Sequence, residues 1–219
     1  MNFKTTLQGK HVLLYGMGVT GQSALRTLPA AGCKVTLYVD GGLTEEDKAF
    51  IASLVHPEEI TVVEDVSSLA LDSFAFILRS SGISFATPLV ERARREGKPV
   101  YTDLEIAYRL FGGENLIAIT GSNGKTTTTS LLEWILRHAG KKAIACGNIG
   151  LPILSTMMDA EEGTLFVTEC SSFQLEAVEQ FAPHRAAILN ITEDHLEWHG
   201  SFKAYAIAKA TIAHAQKSC

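Results

Sequence analysis

The run Gly121-Ser122-Asn123-Gly124-Lys125-Thr126-Thr127 brings two glycines, a lysine and two adjacent threonine hydroxyls into one short stretch. Such a stretch suits a phosphate. Backbone N–H groups of a tight loop and the positive end of a following helix hold anionic oxygens, Lys125 neutralises their charge, and Thr126 or Thr127 offers a hydroxyl to Mg²⁺. A solvated surface lysine would not require these neighbours. The full Walker pattern needs an earlier glycine where Ile119 stands inside an apolar run, so the loop is a shortened variant. It reads as an ATP site, with Gly121, Ser122, Asn123, Gly124, Lys125, Thr126 and Thr127 as its residues.

A second phosphate turn is spelled by Gly16-Met17-Gly18-Val19-Thr20-Gly21, a G-x-G-x-x-G that follows the apolar run His11–Tyr15 and precedes a helical pattern. The helix N-terminus there could receive a diphosphate, and small residues let phosphates approach the backbone. Asp40 lies about 20 residues beyond the turn, where dinucleotide folds often seat an acid that hydrogen-bonds a ribose hydroxyl. The alternatives are a ligandless βα turn and, for Asp40, a plain turn-forming aspartate. A dinucleotide such as NAD and a UDP-sugar both remain open at this turn.

These loops need strands behind them and helices in front. Apolar runs at His11–Tyr15, Lys34–Val39, Ile60–Val63, Phe74–Leu78, Pro99–Tyr101, Leu116–Thr120, Lys142–Cys146, Leu165–Glu169 and Ala186–Leu189 predict strands. Helices are expected at Thr20–Ala31, closed by Gly32; at Thr44–Val55, opened by a Thr44/Asp47 variant of the capping box; and at Pro88–Glu96, stopped by Gly97. A short helix Asp103–Phe111 follows, then an amphipathic one with Leu131, Leu132, Ile135 and Leu136 on one face, and a last one at Phe202–Ala215. The alternation implies βαβ units and parallel sheets, an α/β fold. Two glycine turns between strand and helix imply two sheets. The expected organisation is a Rossmann-like domain over residues 1–97 and a P-loop NTPase-type domain over residues 98–219, with the seam between Gly97 and Gly113.

With 219 residues, 46% of them hydrophobic, the chain can bury a sizeable core. A formal net charge of -5 argues against a nucleic-acid footprint, and the one basic stretch, Arg92 to Lys98, is short. Cys33, Cys146, Cys170 and Cys219 include no C-x-x-C pair, so neither a zinc site nor a disulfide framework is expected, and a reducing cytoplasm fits. Met1 to Gln8 lacks the apolar core of a signal peptide, and no apolar run approaches the roughly 20 residues of a membrane helix.

The shortened loop from Thr120 to Thr126 resembles the ATP loop of the Mur ligases and their folylpolyglutamate synthase relatives. Three more segments resemble the same family: GNIGLP at Gly147–Pro152; ECSSFQLE at Glu169–Glu176, similar to the signature of its D-glutamate-adding branch; and NITEDHLEWHGS at Asn190–Ser201 with AYAIAK at Ala204–Lys209. The resemblance runs from about Lys10 to the last residue.

It implies an ATP-dependent ligase in which Lys125 holds the ATP phosphates, Thr126 and Glu169 sit at one Mg²⁺ and His195 at a second, with Lys209 carbamylated. A carbamate turns a cationic amine into an anionic oxygen donor fit for two metal ions, and Mg²⁺ prefers such hard oxygens. Read singly, Glu169 could be a strand-end carboxylate, His195 a capping or core histidine, and Lys209 an exposed helical residue. The resemblance further implies that the first domain binds the UDP of UDP-N-acetylmuramoyl-L-alanine rather than NAD, through Gly18, Val19, Thr20, Asp40, Ser81 and Gly82. Asn148, Ser171 and Ser172 would face the rest of that substrate, and D-glutamate would be the amine. Ser81 stands where the family often has proline, and Trp198 replaces the usual basic residue before His199. Family members continue into a third domain that binds the amino acid, so a chain ending at Cys219 is expected to turn over weakly or not at all. A cytoplasmic monomer without nucleic-acid or membrane partners completes the expectation. A non-catalytic nucleotide-binding module and an NAD-binding unit are the alternatives.

Overall fold

A computed structural model describes residues 7–213. Compact packing divides them between Asp103 and Leu104 into two units.

The first unit is built on a parallel sheet of order β3-β2-β1-β4-β5, formed by His11–Tyr15 (β1), Lys34–Tyr38 (β2), Ile60–Val63 (β3), Phe76–Arg79 (β4) and Val100–Tyr101 (β5). β1 is buried along most of its length, the near-continuous apolar run that a parallel strand covered on both faces requires. Helices Val19–Ala30 (α1), Glu45–Ala52 (α2) and Pro88–Arg95 (α3) connect the strands. The Thr44/Asp47 capping box forms: Thr44 Oγ1 accepts from the Asp47 N–H, and Asp47 Oδ2 accepts from the Thr44 N–H.

Several bounds differ from expectation. β5 lies beyond residue 97, so the first sheet reaches further than the expected boundary. Phe74 follows a 3₁₀ turn, and the strand there runs from Phe76 to Arg79. Arg79 breaks the apolar pattern yet is buried, because its guanidinium donates to the carbonyls of Ser81 and Ile83 and lies 4.1 Å over the Phe85 ring. α2 ends at Ala52 rather than Val55, where the Ser53 hydroxyl turns back onto the Phe50 carbonyl.

The second unit carries a parallel sheet of order β7-β8-β6-β9, from Leu116–Thr120 (β6), Ala143–Gly147 (β7), Leu165–Glu169 (β8) and Arg185–Ile188 (β9). Its helices are Asp103–Phe111 (α4), Lys125–His138 (α5), Ile153–Asp159 (α6), Ser172–Leu175 (α7), Leu196–His199 (α8) and Phe202–Ala210 (α9). α9 gives way to a 3₁₀ turn at Thr211–Ala213, and the rest of the expected span lies outside the described residues. Glu105 of α4 is fully buried and accepts N–H groups of Glu179, Gln180 and Phe181 while pairing with Arg109 at 2.6 Å, which anchors the segment leading into β9. The apolar face expected on α5 is only partly covered: Leu131 is 53% exposed and Ile135 47%, while Leu132 and Leu136 are half-buried. Among the described residues, no helix is long and apolar enough to cross a membrane.

Candidate active site

In a parallel sheet all strands point the same way, so the loops after β6, β8 and β9 emerge along one edge, where ligands of open α/β sheets bind. The expected phosphate loop leaves β6 there. α5 starts at Lys125 behind Gly124, whose φ of +80° is the left-handed conformation that glycine adopts freely, and no side chain caps the helix. The N–H groups of its first turn are therefore open to an anion. Lys125 Nζ donates to the carbonyls of Gly121 and Ser122 at 2.9 Å each. It is folded back on its own loop, within reach of whatever the loop holds.

The loop after β9 sets the shape of the phosphate loop. The Asn123 N–H donates to Asn190 Oδ1 and Asn190 Nδ2 returns a bond to the Asn123 carbonyl, both at 3.0 Å, while the Ser122 N–H donates to the Asn190 carbonyl. Ser122 Oγ donates to the Thr192 carbonyl at 2.9 Å and accepts from the Thr192 N–H at 2.9 Å. Its single proton is thereby used, so the Tyr205 hydroxyl, 2.8 Å away, is the donor in their contact. Asn190 and Tyr205 were not singled out from sequence. Their partners lie 67 and 83 positions away, and nothing local marks them.

Glu169 ends β8 and is buried. Its Oε2 accepts from Thr126 Oγ1 at 2.8 Å and its Oε1 from Asn148 Nδ2 at 2.9 Å. Thr126, rather than Thr127, is thus the threonine whose hydroxyl meets the carboxylate. Asn148, expected to face the UDP-linked substrate, spends its side-chain N–H on Glu169. Gly147 precedes it with φ +98°, and a Cβ there would lie 2.4 Å from the Glu169 carbonyl, so only glycine lets this loop close against β8.

Lys209 on α9 is 1% exposed, which removes the surface-lysine alternative. Its Nζ donates to the Gly121 carbonyl at 2.8 Å and stands 4.7 Å from the centre of the Tyr205 ring. Burial first, and the nearby positive charge of Lys125 second, push its ammonium down to about 8. An amine at that value is still mostly protonated, but on the order of a tenth of it is neutral at pH 7, far more than for an ordinary lysine. The neutral form is the one that adds CO₂ with loss of a proton.

His195 begins α8 with φ +51°, the one non-glycine residue with positive φ among those described, yet its side chain makes no cap bond. The ring packs against Phe173 at 4.8 Å and lies 3.5 Å from Asp194 Oδ2. A left-handed histidine held by its surroundings is strain of the kind that collects at functional sites. The nearby His199, to which the sequence assigns no role, is part of the same cluster. Its ring stacks on Phe173 and its Nε2 meets Ser172 Oγ at 3.0 Å, so Ser172, expected to face substrate, is engaged here. Burial lowers the His199 pKa below the ordinary value, aided by His195 and Lys209. Ser171 caps α7 through a reciprocal bond pair with Gln174. Trp198, where the resemblance leads one to expect a basic residue, donates its indole N–H to the Glu176 carboxylate at 3.0 Å.

No group of three or more His, Cys, Asp and Glu side chains stands together among the described residues. Mg²⁺ seldom uses such a cage; it takes one or two protein oxygens and completes its shell with water and phosphates. The adjacent oxygens of Thr126 and Glu169 beside an open helix N-terminus fit that donor set.

In the first unit, the ends of β1 and β4 flank the point where the strand order reverses. Gly16 has φ +99°, and a Cβ on Gly21 would sit 2.1 Å from the Gly16 carbonyl oxygen, so both glycines are required for the turn to pack. Gly18, exposed Val19 and Thr20 form the uncapped start of α1, and Ser80 and Ile83 lie against the turn at Gly16, with Ser81 and Gly82 between them in the chain. Asp40 follows β2 and accepts a 2.5 Å bond from the Tyr15 hydroxyl, so it is more than a turn-forming residue.

Comparison with known proteins agrees with this geometry. Residues 119–219 match the family model described as the Mur ligase middle domain. The chain is 42% identical over 209 residues to a UDP-N-acetylmuramoylalanine--D-glutamate ligase of Streptococcus uberis, covering 94% of this chain and 45% of that protein. A relative of the same description from Koribacter versatilis is also 42% identical, with 96% and 46% covered. The chain thus spans about half the length of the curated relatives it matches. Among solved structures, a UDP-N-acetylmuramate:L-alanyl-gamma-D-glutamyl-meso-diaminopimelate ligase from Neisseria meningitides superposes with TM-score 0.59 at 18% identity, covering 96% of this chain and 69% of that one. The UDP-N-acetylmuramate-alanine ligase of Thermotoga maritima gives 0.52 at 23% identity, with 94% and 47% covered. At those identities the likeness speaks for the fold, an α/β architecture of Rossmann-like and P-loop type. Matching sequence along nearly its whole length, a matching middle domain and a shared fold make this chain a member of the Mur ligase family.

Proposed function

We propose that this protein joins D-glutamate to UDP-N-acetylmuramoyl-L-alanine in peptidoglycan precursor synthesis, with ATP giving ADP and phosphate. The observation that carries the reading is the convergence at one sheet edge of Lys125, the Thr126–Glu169 pair and buried Lys209, in a chain 42% identical to ligases of that description.

In this reading the substrate's alanine carboxylate takes the γ-phosphoryl group, and the amine of D-glutamate then displaces phosphate. The loop N–H groups of Gly121 to Gly124 and the first turn of α5 cradle the phosphates, and Lys125 exchanges its carbonyl partners for phosphate oxygens. Thr126 and Glu169 would hold one Mg²⁺ and His195 a second, with Lys209, as a carbamate, offering them an anionic oxygen donor. When bound, the two ions offset charge on the transferring phosphoryl group. Asn148 keeps Glu169 oriented, a role that outer-shell partners commonly fill. Gly18, Val19, Thr20, Asp40, Ser81 and Gly82 take the UDP moiety, while Ser171 and Ser172 must release present partners to face the substrate. The protein works in the cytoplasm as a monomer.

The test is transfer of labelled D-glutamate onto UDP-N-acetylmuramoyl-L-alanine with ATP consumption, using the unaltered protein and Lys125→Ala. Incorporation that depends on both substrates and disappears in the variant supports the reading. Turnover unchanged in Lys125→Ala, or another amino acid accepted in place of D-glutamate, refutes it.

A further inference from the structure

Tyr15 is the last residue of β1, with its ring in the hydrophobic core at 2% exposure. A buried phenol needs a partner for its hydroxyl. The partner here is Asp40, an exposed residue just past the end of β2, at 2.5 Å. The Tyr38 ring lies beside that of Tyr15, centroids 5.3 Å apart. The backbone joins the same corner, because the Gly16 N–H donates to the Tyr38 carbonyl at 2.9 Å. The acid beyond β2 and the glycine turn beyond β1 are therefore tied to each other twice, once through side chains and once through main chain.

An unheld exposed aspartate samples several rotamers and must be ordered when it captures a ligand. Tyr15 has already met that cost. Its donated proton occupies one oxygen of the carboxylate, and an ionised carboxylate has about four acceptor positions, so sites remain for an incoming donor. Burial, and after it the bond to Asp40, raises the Tyr15 pKa, which keeps the hydroxyl a donor throughout the working pH range.

We infer that Tyr15 is a positioning residue that presets Asp40 to accept a hydrogen bond from the nucleoside part of a nucleoside diphosphate seated on the Gly16–Gly21 turn. The inference rests on the proposed UDP reading of that turn and adds the group that aims its acid.

The experiment is calorimetric titration of the 219-residue chain with UDP, comparing the unaltered protein with Tyr15→Phe, Asp40→Ala and the double variant. Tyr15→Phe keeps the ring and its packing, so its melting temperature and its affinity for ATP report any general damage. The expected result is UDP binding weakened about tenfold in Tyr15→Phe, the scale of one charge-assisted hydrogen bond. Once Asp40 is gone the same change should cost nothing further, because Tyr15 acts through it. A merely structural tyrosine would lower the melting temperature and weaken binding equally with or without Asp40, and that outcome overturns the inference. UDP binding that Tyr15→Phe leaves unchanged also overturns it, while the ligand reading survives. No saturable UDP binding by the unaltered chain sinks the ligand reading and the inference with it.

Discussion

Replacing Ser122 by alanine removes one oxygen that serves three partners: the Thr192 carbonyl, the Thr192 N–H and the Tyr205 hydroxyl. Their losses are unequal. Thr192 is exposed, so water can replace the serine at both of its backbone groups. Tyr205 is 1% exposed, and its hydroxyl has Ser122 as its hydrogen-bond partner. The main cost is therefore one buried, unsatisfied hydroxyl, about 1–3 kcal/mol. Adding Tyr205→Phe deletes that orphan, so the double variant should be more stable than the sum of the two singles predicts, by about 0.5–3 kcal/mol. Urea unfolding of the four proteins measures this directly. Because the same hydroxyl pair braces the phosphate loop against α9, Ser122→Ala should also weaken ATP binding. Single and double variants whose effects simply add would refute the coupling of the two hydroxyls and with it the claim that Tyr205 supports the loop.

Three further outcomes are expected. Gly21→Ala puts a methyl 2.1 Å from the Gly16 carbonyl oxygen, so it should destabilise the first unit by about 1–3 kcal/mol in urea unfolding, and a neutral result would contradict the packing of the turn. Lys209, held down to about 8, should give a carbamate signal in ¹³C NMR under labelled bicarbonate at pH 8; absence of that signal, or its persistence in Lys209→Met, would count against the lysine's proposed role. The His199 and His11 pKa values lie below the ordinary 6.5, so between their folded values and 6.5 the unfolded chain binds more protons. The stability they contribute is full above pH 6.5 and lost as pH falls below it. His199→Asn should flatten the decline between pH 7 and pH 5.5, and an unchanged slope would refute burial as its cause.

What could be read from sequence was what local chemistry writes down. Both glycine turns, β1, β3, β6 and β8, and the capping box of α2 follow from neighbouring residues, and they appear at the expected positions. Arg79 was misleading because a charge at a strand end normally signals solvent, whereas here two carbonyls and an aromatic face accommodate it. The site divides in the same way. Lys125, Glu169 and Asp40 carry their meaning in motif and strand-end position. The braces that hold them, Asn148 on Glu169, Asn190 on Asn123, Tyr205 on Ser122 and Tyr15 on Asp40, connect residues 21 to 83 positions apart. Only the fold brings such pairs together. The burial of Lys209 was likewise invisible, since α9 has apolar and polar residues on no clear stripe that marks its inner face.

The central claim is that the glycine turn of the first unit takes a UDP-linked substrate for a ligase rather than a redox dinucleotide. Calorimetric titration of the chain with UDP-N-acetylmuramoyl-L-alanine, run beside NAD⁺, tests it most directly. Saturable binding of the UDP compound with none for NAD⁺ is the predicted result, and saturable binding of NAD⁺ alone would contradict the account.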